Sequence, residues 1–189
     1  MLFKKLFADF ILFILGFKLV GFEGLFDNNK SKNFIGIMLN HTSNWDGFLT
    51  VAAVWSLNLT PLILVKKSVF EVPVFGSICR WMGMVPVERG RSTGMVNNLL
   101  AEIKRREPAV VLITPEGTRK KVDKLKKGFY WMAMDSGLPI LLCGMHYGKK
   151  EILHGGFMTP SGDFDKDFEK IKDFFATKTE AKYPDQKFC

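Results

Sequence analysis

Phe34-Ile35-Gly36-Ile37-Met38-Leu39, running directly into Asn40-His41-Thr42-Ser43-Asn44-Trp45-Asp46, decides how this chain folds. The first six residues are an apolar run without helical period, which predicts a buried strand that delivers His41 to its C-terminal end. A helix is expected next, over about 45–57. The same alternation continues outward. Strands are expected at 62–65, at 109–113 and at 138–142, with a short edge strand at 84–87, where Pro86 removes a ladder donor. Short helices are expected at 75–82 and about 128–136. Ser92 can cap a longer helix whose apolar positions Met95, Val96, Leu99, Leu100 and Ile103 recur at helical spacing until Pro108 ends it. Phe164, Phe168, Ile171 and Phe175 give one apolar face to a final helix. Strands alternating with helices imply an α/β fold, a mostly parallel central sheet flanked by helices. Ligands in such sheets bind beyond the carboxyl ends of the strands, where His41, Lys66, Arg89 and Glu116 all fall.

The composition narrows the class. At 189 residues the chain suits one domain with a full core, and 47% apolar residues with eighteen Phe exclude disorder. The apolar surplus suggests a membrane face, and a net charge of +8 favours an anionic partner. Three widely spaced cysteines read as reduced thiols. Residues 1–27 are expected to form a membrane-interface helix and lead-in, and residues 28–189 a single catalytic domain. The uninterrupted apolar run at 10–17 would be a helix of only about 12 Å, against a hydrocarbon thickness of about 30 Å, so it cannot span. Lys4 and Lys5 before that run imitate a signal peptide, but Asp9 interrupts it and no small-residue cleavage site follows. A short basic helix rich in Phe and Leu suits the headgroup region, on the cytoplasmic face; packing on the core is the plainer alternative.

Two segments carry chemistry. A histidine can accept a proton at neutral pH once something fixes its tautomer, and Asp46, in the first turn of the expected helix, can reach back to Nδ1 of His41. That is the His–Asp half of a serine-protease triad without the serine, so the hydroxyl to be activated can belong to the substrate. Ser43 is a weaker alternative, as an enzyme nucleophile. The second segment, Thr114-Pro115-Glu116-Gly117-Thr118-Arg119, follows a buried strand and offers a backbone bend at Gly117 and a planar phosphate-binding fork at Arg119. Its backbone N–H groups could also stabilise an oxyanion. Alone, each segment has a bland reading, a helix start in one case and a loop with a solvated charge run in the other. Cys143, His146 and His154 supply too few ligands for zinc, and no metal or cofactor is expected.

Taken together, NHTSNWD with its HxxxxD pattern, Gly83-Met-Val-Pro-Val-Glu-Arg89, TPEGTR, and Gly137-Leu-Pro-Ile-Leu-Leu142 resemble in content and order the four motif blocks of the glycerolipid acyltransferases. These include the lysophosphatidic acid and glycerol-phosphate acyltransferases. The resemblance covers roughly residues 34–150. It implies that His41 is the general base and Asp46 its orienter. It also implies that Arg89, Lys66 and the third-block residues Glu116, Gly117, Thr118 and Arg119 bind substrate, with the cations on phosphate. The expected partners are a phospholipid surface, acyl-CoA or acyl carrier protein as acyl donor, and a lysophospholipid acceptor, 1-acylglycerol 3-phosphate by default, in phospholipid biosynthesis. A non-catalytic basic module for anionic membrane or nucleic acid is the alternative; no nucleic-acid fold signature is visible.

Overall fold

The computed structural model describes residues 1–26, 33–87, 95–106 and 108–188. Helix α1 spans Leu2–Leu15, α2 Asn44–Ser56, α3 Phe75–Trp81, α4 Met95–Arg106, α5 Gly128–Ser136 and α6 Phe164–Lys178. The strands are β1 Lys18–Val20, β2 Phe34–Ile37, β3 Thr60–Lys66, β4 Met84–Val87, β5 Ala109–Ile113, β6 Ile140–His146 and β7 Glu151–Met158. Among the described residues they form one sheet in the order β1-β7-β6-β2-β5-β3-β4. Every neighbouring pair is parallel except β6 and β7.

All four residues of β2 are buried, as a central parallel strand requires, and successive side chains enter different layers. Ile35 and Ile37 meet Leu99 and Ile103 of α4, Ala133 of α5 and Phe175 of α6. Phe34 and Met38 join Leu12 of α1 and Leu49 and Ala53 of α2. Removing either isoleucine side chain down to Ala would cost about 2–5 kcal/mol. Because β2 lies between β5 and β6, the chain leaving β2 at Asn40 is flanked by the turns that follow both neighbours. Carboxyl ends of β2, β3, β5 and β6 therefore share one edge of the sheet.

The expected α/β architecture and the positions of most elements hold, with β4 at the sheet edge as Pro86 implied. Three features differ from the sequence reading. Strand β6 begins later and runs longer than 138–142, reaching His146. Strand β7 was not foreseen; Gly155 and Gly156 interrupt its apolar pattern. Nor was β1, three residues long and paired with β7 alone among the described residues. Ser92 and Arg89 lie outside the described residues.

Helix α1 both packs and exposes. Ala8 and Leu12 are buried against α2, whereas Phe3, Leu6, Phe10, Phe13 and Ile14 are exposed. Asp9, which broke the apolar run in the sequence, ties the helix down: Lys5 Nζ donates to it at 2.6 Å and Ser56 Oγ donates from α2. Among the described residues, no helix is long and apolar enough to cross a membrane.

Candidate active site

Two carboxylates hold the turn between β2 and α2, Asp46 from the first turn of the helix and Glu116 from the turn after β5. Ser43 is the N-cap of α2; its Oγ accepts from Trp45 N–H at 3.2 Å. Asp46 closes a capping box by accepting Ser43 N–H on Oδ2 at 2.8 Å, and it accepts Thr42 N–H on the same oxygen at 2.8 Å. Nδ1 of His41 also lies 3.2 Å from Oδ2. The bland reading of Asp46 as a first-turn residue and its reading as the histidine's orienter thus describe the same side chain. Ser43 is buried, and its hydroxyl oxygen accepts the cap bond. Burial alone would push the Asp46 carboxyl up. Hydrogen bonds from His41 and Tyr147, with Ser43 N–H, outweigh it and hold Asp46 below the usual carboxylate range. An ionised Asp46 favours the imidazole proton on Nδ1, which leaves the Nε2 lone pair able to accept a proton.

Glu116, expected among the substrate-binding residues, enters from the turn after β5. Its side chain is buried, with 5% of its surface exposed, and both oxygens are spent on main chain: Oε1 accepts Asn40 N–H and Oε2 accepts His41 N–H, each at 3.0 Å. Burial pushes this carboxyl up, against the pull of those two amides. Glu116 therefore ties the main chain of Asn40 and His41 to the turn that follows the neighbouring strand. Asn40 needs that support, since its φ of 60° lies in the left-handed region that only Asn, Asp and Gly enter readily.

Gly117 bends the following turn at φ 64°, and its N–H donates to Thr114 O at 3.0 Å, so this amide is engaged within the turn. Thr118 Oγ1 accepts Lys120 N–H at 3.3 Å. Arg119 is exposed, and its Nη1 donates to Asn44 Oδ1 at the first residue of α2. The second segment thus closes over the first at two points, one buried through Glu116 and one at the surface through Arg119. Lys66 ends β3 at the same sheet edge.

Two contributions were not foreseen. Tyr147, just after β6, donates its phenolic O–H to Oδ1 of Asp46. Burial, then the bond to Asp46 and the charge behind it, push the Tyr147 phenol up, so it remains a donor at any physiological pH. The C-terminal segment straps the turn from outside: Phe188 N–H reaches Asn40 Oδ1 at 3.0 Å, Tyr183 N–H reaches Thr42 Oγ1 at 3.2 Å, and Asn40 Nδ2 donates to Thr179 Oγ1 at 3.4 Å. Neither had a local sequence signal, because each bridges more than a hundred residues. The two histidines set aside as zinc ligands have protein partners: His146 pairs with Glu180 at 3.0 Å, and His154 spans Gly21 O and Gly156 N–H. Burial pushes the Cys143 thiol up to about 12, which makes it a poor ligand and nucleophile.

The family model for acyltransferases matches residues 22–146. A chloroplastic 1-acyl-sn-glycerol-3-phosphate acyltransferase of Arabidopsis thaliana is 30% identical over 154 residues, covering 76% of this chain and 42% of the relative. The corresponding chloroplastic enzyme of Brassica napus is 31% identical over 105 residues, covering 53% of this chain and 30% of the relative. The chain thus spans less than half the length of these curated relatives. The His41–Asp46 contact, with the second segment clasped across it, lies within the matched span, and the chain belongs to the acyltransferase family.

Proposed function

We propose that this chain transfers a fatty acyl group from an acyl thioester, acyl-CoA or acyl carrier protein, to the free hydroxyl of 1-acylglycerol 3-phosphate. The observation that carries the reading is the His41–Asp46 contact of 3.2 Å in a turn clamped by Glu116. His41 Nε2 takes the hydroxyl proton as the acceptor oxygen bonds to the thioester carbonyl carbon. The tetrahedral intermediate collapses, the C–S bond breaks, and the thiolate takes the proton back from the imidazolium. Asp46 stabilises that imidazolium between the two steps. Arg119 is suited to the acceptor phosphate by its fork geometry and its exposure beside Asn44, and Lys66, Arg89 and Thr118 are proposed as further substrate-binding residues on the strength of the motif blocks.

The acceptor is a lipid, and the apolar face fits a membrane. Exposed side chains of α1 continue through the contact of Phe7 with Trp81, centroids 6.4 Å apart, into Phe75 and Ile78 of α3. Lys4 sits beside them, its ammonium 5.1 Å from the Trp81 ring. We infer that this face rests in an anionic phospholipid surface without crossing it. An acceptor panel assayed with both thioesters, with mass spectrometry of the lipid product, tests the activity. Phosphatidic acid formed from 1-acylglycerol 3-phosphate supports it. Vesicle binding without acceptor-dependent thiol release overturns it in favour of a basic binding module.

A further inference from the structure

We propose that Tyr147 is a positioning residue of the site, the third member of a His41–Asp46–Tyr147 chain that acts on the base through the second oxygen of Asp46. This rests on the reading of His41 as the general base. Tyr147 lies one residue beyond the span matched by the family model, at the end of β6, and its hydroxyl is directed at Oδ1 of Asp46. The division of labour on that carboxylate is unequal. Oδ2 serves the imidazole and the two main-chain amides of the turn, whereas Tyr147 is the partner seen on Oδ1 among the described residues. A donor on Oδ1 sets how much negative charge remains for Nδ1–H and fixes the plane of the carboxylate.

The phenol is itself held in place. Its ring meets Phe17 edge-on, centroids 5.6 Å apart, and its main-chain N–H donates to Glu180 O at 3.2 Å. The charged and titratable groups around the pair are His41 itself, Glu116 from the β5 turn, Arg119 through Asn44, and Tyr183 and Lys182 from the C-terminal segment. The Lys182 ammonium lies 6.0 Å from the Tyr147 ring and 5.3 Å from that of Trp45. None of them replaces the Tyr147 hydroxyl on Oδ1, so deleting that one oxygen isolates its effect.

Tyr147→Phe keeps the ring and removes the donor. Asp46 then carries more charge towards Nδ1–H and holds the imidazolium more tightly. The acid limb of the kcat/KM profile should move to higher pH by about half a unit, and kcat should fall about ten-fold at unchanged acceptor KM. A second measurement needs no turnover. The stability gap between wild type and Tyr147→Phe in urea should be present at pH 7 and close as Asp46 is protonated in acid, because the lost bond is to the carboxylate. Phe17→Leu is the packing control, expected to lower stability evenly across pH and leave the limb in place. An unmoved limb in Tyr147→Phe, a gap that does not change with pH, or a limb shift of equal size in Phe17→Leu would each overturn the proposal. Turnover surviving in His41→Ala would instead overturn the base reading, and the stability gap would still report the Tyr147–Asp46 bond.

Discussion

Glu116→Gln separates two roles that a carboxylate in this segment can play. The substitution keeps the shape of the side chain but turns one acceptor into a donor. Of the two amides that Glu116 accepts at 3.0 Å, one therefore meets an NH₂ group and is left without a partner in a site that is 5% exposed. Losing a hydrogen bond to a charged group costs about 1.5–3 kcal/mol, and relief from burying a carboxylate offsets part of it. A net loss of about 2 kcal/mol is expected, lowering Tm by about 4–8 °C for a chain of this size. The amide released belongs to Asn40 or His41, so the imidazole moves with the main chain. A misplacement of about 1 Å can cost about a hundred-fold, and kcat should fall by about 10–100-fold. The acceptor KM should change less than about two-fold, because no substrate contact is removed. Steady-state kinetics on the purified variant, with a thermal melt, provide both numbers. A large rise in KM with kcat and Tm unchanged would refute the reasoning, since that pattern belongs to a group that touches the substrate.

Other substitutions read other links. Asp46→Asn should lower kcat by up to about 10⁴ through the wrong imidazole tautomer, and loss of less than ten-fold would show that the orienter is dispensable. Arg119→Ala should raise the acceptor KM with kcat nearly unchanged, and an unchanged KM would remove the phosphate role. Asp46 titrates lower in the folded chain than in the unfolded one, so its stabilisation is full above about pH 3.9 and is lost as pH falls through its folded value. Glu116 titrates higher when folded, so its contribution declines instead as pH rises from about 4.5. Urea midpoints between pH 3 and 7 should therefore fall less steeply towards acid for Asp46→Asn than for wild type. Replacing Phe10 and Phe13 of α1 with Glu should abolish flotation with anionic vesicles while the melt is unchanged; retained flotation would place the lipid contact elsewhere.

The sheet was legible where side-chain pattern and burial agree. Residues 34–39 and 109–113 are continuous apolar runs, and both lie at the centre of the sheet. The pairing of His41 with Asp46 was legible for a local reason: five residues across a helix start bring them together whatever the rest of the chain does. Long-range partners left no such trace. Nothing near Tyr147 marks it as the partner of Asp46, since their contact depends on β6 lying beside β2. Strand β7 was hidden by Gly155 and Gly156; Gly155 leaves room for Phe174, whose ring atoms would lie 2.7 Å from a Cβ there. Glu116 shows a different limit. The sequence marks it as a carboxylate in a turn after a buried strand, but that its oxygens meet the main chain of Asn40 and His41 depends on the side-by-side placement of β2 and β5.

In the proposed reaction the His41–Asp46 pair activates a hydroxyl brought by the substrate. Thiol release from an acyl thioester, followed with and without 1-acylglycerol 3-phosphate in wild type and in His41→Ala, tests it most directly. The expected result is release by wild type only when the acceptor is present, no acylated protein by mass spectrometry, and no release by a His41→Ala variant that melts like wild type. Near-normal turnover in that variant, or acyl-protein accumulating without acceptor, would contradict it.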